Sequence, residues 1–198
     1  MEDTRGRILT AAARLFEQQG YRSVSMRAIA AELGISVGNL TYHFPHKQDI
    51  ATALVEQELD TIILPEEATL PALDGYLRRM LISLVDHARM FDDPLLFEDL
   101  PGQQQENAAR ISRLQKNLKS LLEQLRQKEL FRAQLQGQTL RDVIDLIMFS
   151  HVGWQQRVSV SRQPADKAVG DMMRMQWLLL RPYLTEAGCA ELAKLTNA

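Results

Sequence analysis

Ser25, Gly34, Ser36 and Pro45 punctuate the chain so closely that only two very short helices fit between them. Met26, Ile29, Ala30 and Leu33 make one apolar face, with Ser25 placed as an N-cap and Gly34 as the stop. Ser36 caps the next helix, predicted through about Tyr42, and Pro45 ends it. Ahead of them Ile8, Leu9, Ala12, Leu15 and Phe16 mark a longer helix closed by Gly20. Behind them a helix is predicted from about Lys47 to Leu64, stopped by Pro65. Two short helices at a tight turn, flanked by longer ones, form the outline of a helix-turn-helix unit.

The remainder reads as helical too, so the predicted fold class is all-α. No stretch alternates apolar and polar residues for long enough to suggest a strand. Leu73, Leu77, Met80, Leu81, Leu84, Ala88 and Phe91 predict a helix over about 71–91, and a short apolar piece follows at 95–100. Ile111, Leu114, Leu118, Leu121 and Leu125 form a heptad-like packing stripe. After the loop Gln136-Gly137-Gln138, Thr139 and Asp142 suggest a capped helix start. Leu140, Val143, Ile144, Ile147, Met148, His151 and Trp154 line that helix; Val169, Met172, Met173, Gln176, Trp177, Leu180 and Leu184 line the next.

A helix that enters a DNA major groove needs small or polar residues outward and apolar residues inward. In the second short helix Val37, Gly38, Asn39, Thr41, Tyr42 and His43 face outward, and Ile35, Leu40 and Phe44 face in. Gly38 permits close approach to a base edge or phosphate. Asn39 suits adenine, Val37 a thymine methyl, and Thr41 and Tyr42 a phosphate. His43 fits a packing ring as well as a phosphate contact. The N–H groups at Ser36 and Lys47 begin helices, where phosphate is favoured. Charge agrees in sign: residues 1–47 carry six Lys/Arg against four Asp/Glu, whereas the remainder carries 17 against 21.

Residues 5–50 resemble the DNA-binding domain of the TetR family of bacterial transcription regulators. The resemblance rests on Ser25-Met26-Arg27-Ala28-Ile29-Ala30, on Leu33 through Leu40, on Tyr42-His43-Phe44 and on Lys47. It implies an N-terminal three-helix DNA reader, residues 1–47, and a larger helical domain, residues 48–198, that binds a small-molecule effector and forms a homodimer. It implies that Ser25, Met26 and Arg27 face DNA, that the residues from Val37 to His43 lie on the recognition helix, and that Lys47 holds a phosphate. The chain departs from the family pattern at Thr41, where a tyrosine often contacts the DNA backbone; Thr41 is shorter, so that contact is either lost or taken over by the adjacent Tyr42.

The expected function is therefore a dimeric transcriptional regulator, a repressor released from a pseudo-palindromic double-stranded DNA operator by an unknown ligand. The alternative keeps the reader but makes the larger domain an architectural or protein-interaction module. Helices at about 139–160 and 166–184 are expected to form a four-helix dimer interface. Ligand contacts are assigned to Phe97, Met148, His151, Trp154 and Trp177, although His151 and Trp154 fit a buried core more simply. Phe97, Glu98 and Asp99 suit a pocket mouth or a solvated turn. No glycine-rich phosphate loop, His-Glu-x-x-His pair or Gly-x-Ser-x-Gly elbow is present, so no catalysis is expected. Neither a metal nor another cofactor is expected: His43, His46, His87 and His151 lack ligand spacing. No apolar run approaches the roughly 18 residues of a membrane span, and a lone Cys189 fits a reducing, cytoplasmic setting.

Overall fold

The computed structural model describes residues 3–90, 103–161 and 164–196. Among these, nine α-helices follow one another: α1 (Thr4–Gln19), α2 (Met26–Leu33), α3 (Val37–His43), α4 (Lys47–Leu59), α5 (Leu70–Met90), α6 (Gln103–Gln127), α7 (Gly137–Ser161), α8 (Ala165–Leu180) and α9 (Glu186–Thr196). No strand occurs among the described residues, only an isolated bridge between Phe131 and Leu184. The fold is all-α. Phe97, Glu98 and Asp99, and the short piece at 95–100, lie outside the described residues.

The punctuation of the N-terminal third acts as its chemistry dictates. Ser25 Oγ accepts from Ala28 N and Ser36 Oγ from Asn39 N, each at 3.1 Å, filling donors that the first turns of α2 and α3 leave open. Gly34 ends α2 at φ 65°, ψ 30°, the left-handed conformation that costs other residues most. Ile8, Phe16, Ile29, Leu40 and Phe44 close into a first core, which the early part of α4 completes through Ile50, Ala51, Ala53 and Val55. An Arg14–Glu32 ion pair joins α1 to α2 at the surface.

A second core runs from Ile62 to Leu192. In it α5 packs against α6, α7, α8 and α9. The stripes of α7 and α8 face inward as expected: Ile147, Met172, Gln176 and Leu180 are fully buried.

Three local expectations are corrected. The helix from Lys47 ends at Leu59, not Leu64. The β-branched run Thr61-Ile62-Ile63 is a poor helix former, and leaving the helix lets Ile62 enter the second core while Ile63 stays exposed. Ile111 does not belong to the packing stripe; it is half exposed, whereas Leu118, Leu121 and Leu125 are buried. Helix α7 starts at Gly137 rather than behind a Thr139 cap, and Asp142 instead accepts from Gln138 Nε2.

Helix α9 was not anticipated. It is attached largely through backbone: Thr185 N donates to Leu130 O at 3.1 Å, Arg132 N to Tyr183 O at 2.7 Å, and Arg132 Nε to Leu184 O at 2.7 Å. Thr185 Oγ1 caps the helix by accepting from Gly188 N. A Cβ on Gly188 would stand 2.2 Å from Leu130 O, so only glycine lets α9 approach this closely.

Candidate nucleic-acid interface

The second short helix, α3, is held from beneath by two anchors. Leu40 is fully buried and Phe44 nearly so. Arg5 reaches over the Phe44 ring, its guanidinium 5.0 Å from the centroid. The opposite face is open: Val37, Gly38 and Asn39 are exposed, and Tyr42 is 85% exposed. Nothing inside the fold demands glycine at position 38, since a Cβ there would meet only Ser36 Oγ at an ordinary 3.8 Å. Before the turn Ser25 and Arg27 are also exposed, while Met26 is half-buried and packs on the first core. Ser25 and Ser36 each use an oxygen lone pair for capping and keep a proton to donate.

Thr41 and Tyr42 divide their work. Thr41 Oγ1 donates to Gly38 O at 3.1 Å, turning its hydroxyl proton back into its own helix. Tyr42 projects outward, edge-on to the half-buried His43 ring with centroids 5.3 Å apart. The phenol in the outward position is thus Tyr42.

Lys47 is placed differently from a free surface cation. Its ammonium donates to Tyr21 O at 2.7 Å and to Val24 O at 2.8 Å, and lies 4.1 Å above the Tyr21 ring centroid. Two of its three protons therefore tie α4 to the turn before α2. Burial lowers the Lys47 pKa; burial, then the Asp49 charge, raises that of Tyr21. Asp49 also caps α4, accepting from His46 N at 2.7 Å. A Lys47→Ala change leaves two carbonyls without their donor, so it should lower stability by about 1–3 kcal/mol as well as weaken DNA binding. Urea unfolding separates the two effects, and an unchanged midpoint would mean that the ammonium does not hold these carbonyls.

Phe97 lies outside the described residues, and the other four residues assigned to ligand contact are not gathered into one space. Trp154 and Trp177 are buried in the second core, with Met148 packed against it, and His151 is buried too. Trp177 lines a cleft of about 580 Å³ between α5, α8 and α9. Trp154 lines another of about 420 Å³ beside Met175 and Leu178. His151 Nε2 has no hydrogen-bond partner among the described residues.

An exposed short helix on a capped helix-turn-helix, carried by a larger all-helical body, resembles the architecture of TetR-family proteins. Residues 8–54 match the family model described as bacterial regulatory proteins, tetR family. An HTH-type transcriptional regulator of Staphylococcus aureus (strain USA300) is 39% identical over 62 residues, which is 31% of this chain and 34% of that protein. The chain thus matches about a third of the length of its curated relatives. Similarity of fold extends much further. A TetR-family transcriptional regulator from Marinobacter aquaeolei VT8 superposes with a TM-score of 0.82 at 23% identity, over 98% of this chain and 97% of that one. The ketosteroid transcriptional regulator of Mycobacterium tuberculosis gives 0.62 at 19% identity, over 94% and 97%. The chain has the TetR-family fold. Among the described residues no helix is long and apolar enough to cross a membrane.

Proposed function

We propose that this chain is a non-catalytic, homodimeric transcriptional regulator that reads a pseudo-palindromic operator through residues 1–47 and responds to a small molecule through residues 48–198. The observation that carries the reading is α3, which buries Leu40 and Phe44 while presenting Val37, Gly38, Asn39 and Tyr42 to solvent. A glycine that the fold does not require suits a surface that something else must approach closely. Repression fits a dimer that covers its operator, and ligand release fits a dimer whose two readers can be spread.

Two features support the rest. Leu146 and Phe149 on α7, with Met175 and Leu178 on α8, are large apolar side chains left exposed. The two helices are bridged at that level by Gln176 Nε2 donating to Ser150 Oγ at 2.9 Å. Such a patch suits a second copy of the same pair of helices. Two ion pairs support a route to the reader. Arg110 Nη2 meets Glu56 Oε1 at 2.5 Å and Arg113 Nη2 meets Asp60 Oδ1 at 3.1 Å, so α6 grips α4. A ligand shifts the equilibrium only if it prefers the spread-apart form.

The test is selection of bound fragments from a random DNA pool with the purified chain. The expected product is an inverted repeat with half-sites about one helical turn apart or slightly more. Recovery of only salt-sensitive, motif-free DNA would remove sequence reading and favour an architectural role.

A further inference from the structure

The cleft between α5, α8 and α9 has a chemistry of its own. Its body is apolar, made by Met173, Trp177, Leu192 and Leu195. Among the described residues its charged lining is uneven: Arg78, Arg174 and Arg181 against the single carboxylate of Asp74. That carboxylate is already engaged, accepting from Trp177 Nε1 at 2.8 Å and from Arg78 Nε at 2.5 Å. Arg174 pairs with Asp171 at 2.8 Å. The side chain of Arg181 makes no hydrogen bond or ion pair among the described residues.

We infer that this cleft binds an organic carboxylate with an apolar body. Its volume of about 580 Å³ lies in the range of small-molecule sites, which combine an apolar wall with a few placed polar groups. A neutral apolar molecule would leave the guanidinium excess unused, and a cation would meet it as a like charge. A carboxylate gives Arg181 the planar, two-oxygen partner that guanidinium matches best. Arg78 and Arg174, already paired with Asp74 and Asp171, leave that role to Arg181. The Asp74–Trp177 bond fixes the indole as a wall, so the apolar body of the ligand lies against a surface that does not need to be built on binding. The proposal stands on the cleft alone and does not require the chain to bind DNA.

Decanoate is a suitable probe, with decyltrimethylammonium as the cation of matched tail. Two reporters are built in. Trp177 is one of two tryptophans, so Trp154→Phe leaves it as the sole tryptophan. Cys189 is the only cysteine, is exposed and lines the cleft. Decanoate is expected to change Trp177 emission saturably and to slow maleimide labelling of Cys189 in the parent chain. The Arg181→Gln variant should raise the decanoate Kd about tenfold, and decyltrimethylammonium should give no saturable response. The labelling assay decides the matter even if Trp154→Phe does not fold. Absence of saturable protection in the parent chain overturns the proposal. So does equal binding of the two probes, or an Arg181→Gln variant that binds decanoate as the parent does.

Discussion

A Phe149→Glu variant should sediment as a monomer at concentrations where the parent chain is a dimer, and its affinity for the selected DNA should fall roughly a hundredfold or more. Phe149 is 74% exposed, so the substitution leaves both cores untouched and the helical circular dichroism should not change. The large effect comes from symmetry. In the proposed two-fold interface each copy would carry the substitution, and both carboxylates would be buried in an apolar surface contributed by Leu146, Met175 and Leu178. An operator that needs both half-sites loses the gain from linking them when the subunits separate. Retention of the dimer with undiminished DNA affinity would place the subunit contact on another face.

Acidification should destabilise the larger domain through His151. This ring is buried, and burial alone lowers its pKa from 6.5 to about 4. In the unfolded chain it takes up its proton near pH 6.5; in the folded chain it resists until about pH 4. The unfolded state therefore binds more protons between those values, and stability falls as pH falls through that window. Above it the ring is neutral in both states, and below it charged in both, so the loss then levels off. The expected contribution is on the order of 3 kcal/mol. Carboxylates titrate in part of the same range, so the measurement is a comparison: urea unfolding at pH 7 and pH 4, for the parent and for His151→Phe. The parent should lose more by about that amount. Equal losses would mean that His151 is hydrated or partnered in solution.

The N-terminal unit was largely legible because its boundaries are set locally. Ser25, Gly34 and Ser36 each act within a few residues of themselves, and Leu40 and Phe44 sit on the inner face that spacing assigns. Lys47 was legible as a position but not as a geometry. Its partners, the carbonyls of Tyr21 and Val24, are brought near only by the packing of α1, α2 and α4. The Thr41 hydroxyl had two outlets, an outside partner or its own backbone, and composition does not choose between them. Helix α9 carries only Leu192 as a buried apolar side chain, too little for a periodic signal. Thr185 followed by Glu186 was the available sign of its start. Gly188 reads in sequence as a breaker, whereas its role is to let two backbones touch. The arginine-lined cleft was invisible because Asp74 and Arg78 of α5 lie far along the chain from the segment of α8, Arg181 and α9 that completes it.

The grip of α6 on α4 gives ionic strength a second point of action. Arg113 and Asp60 are 49% and 72% exposed, whereas Arg110 is only 17% exposed against 37% for Glu56. Salt screens the outer pair first and the inner pair little. It also weakens any phosphate contact made by the reader, to an extent set by the number of phosphates neutralised. In the proposed dimer a reader held less firmly to its body would accept a wider range of distances to its twin. Rising salt should therefore blur the distinction between operators of different half-site spacing before it abolishes recognition of a single half-site.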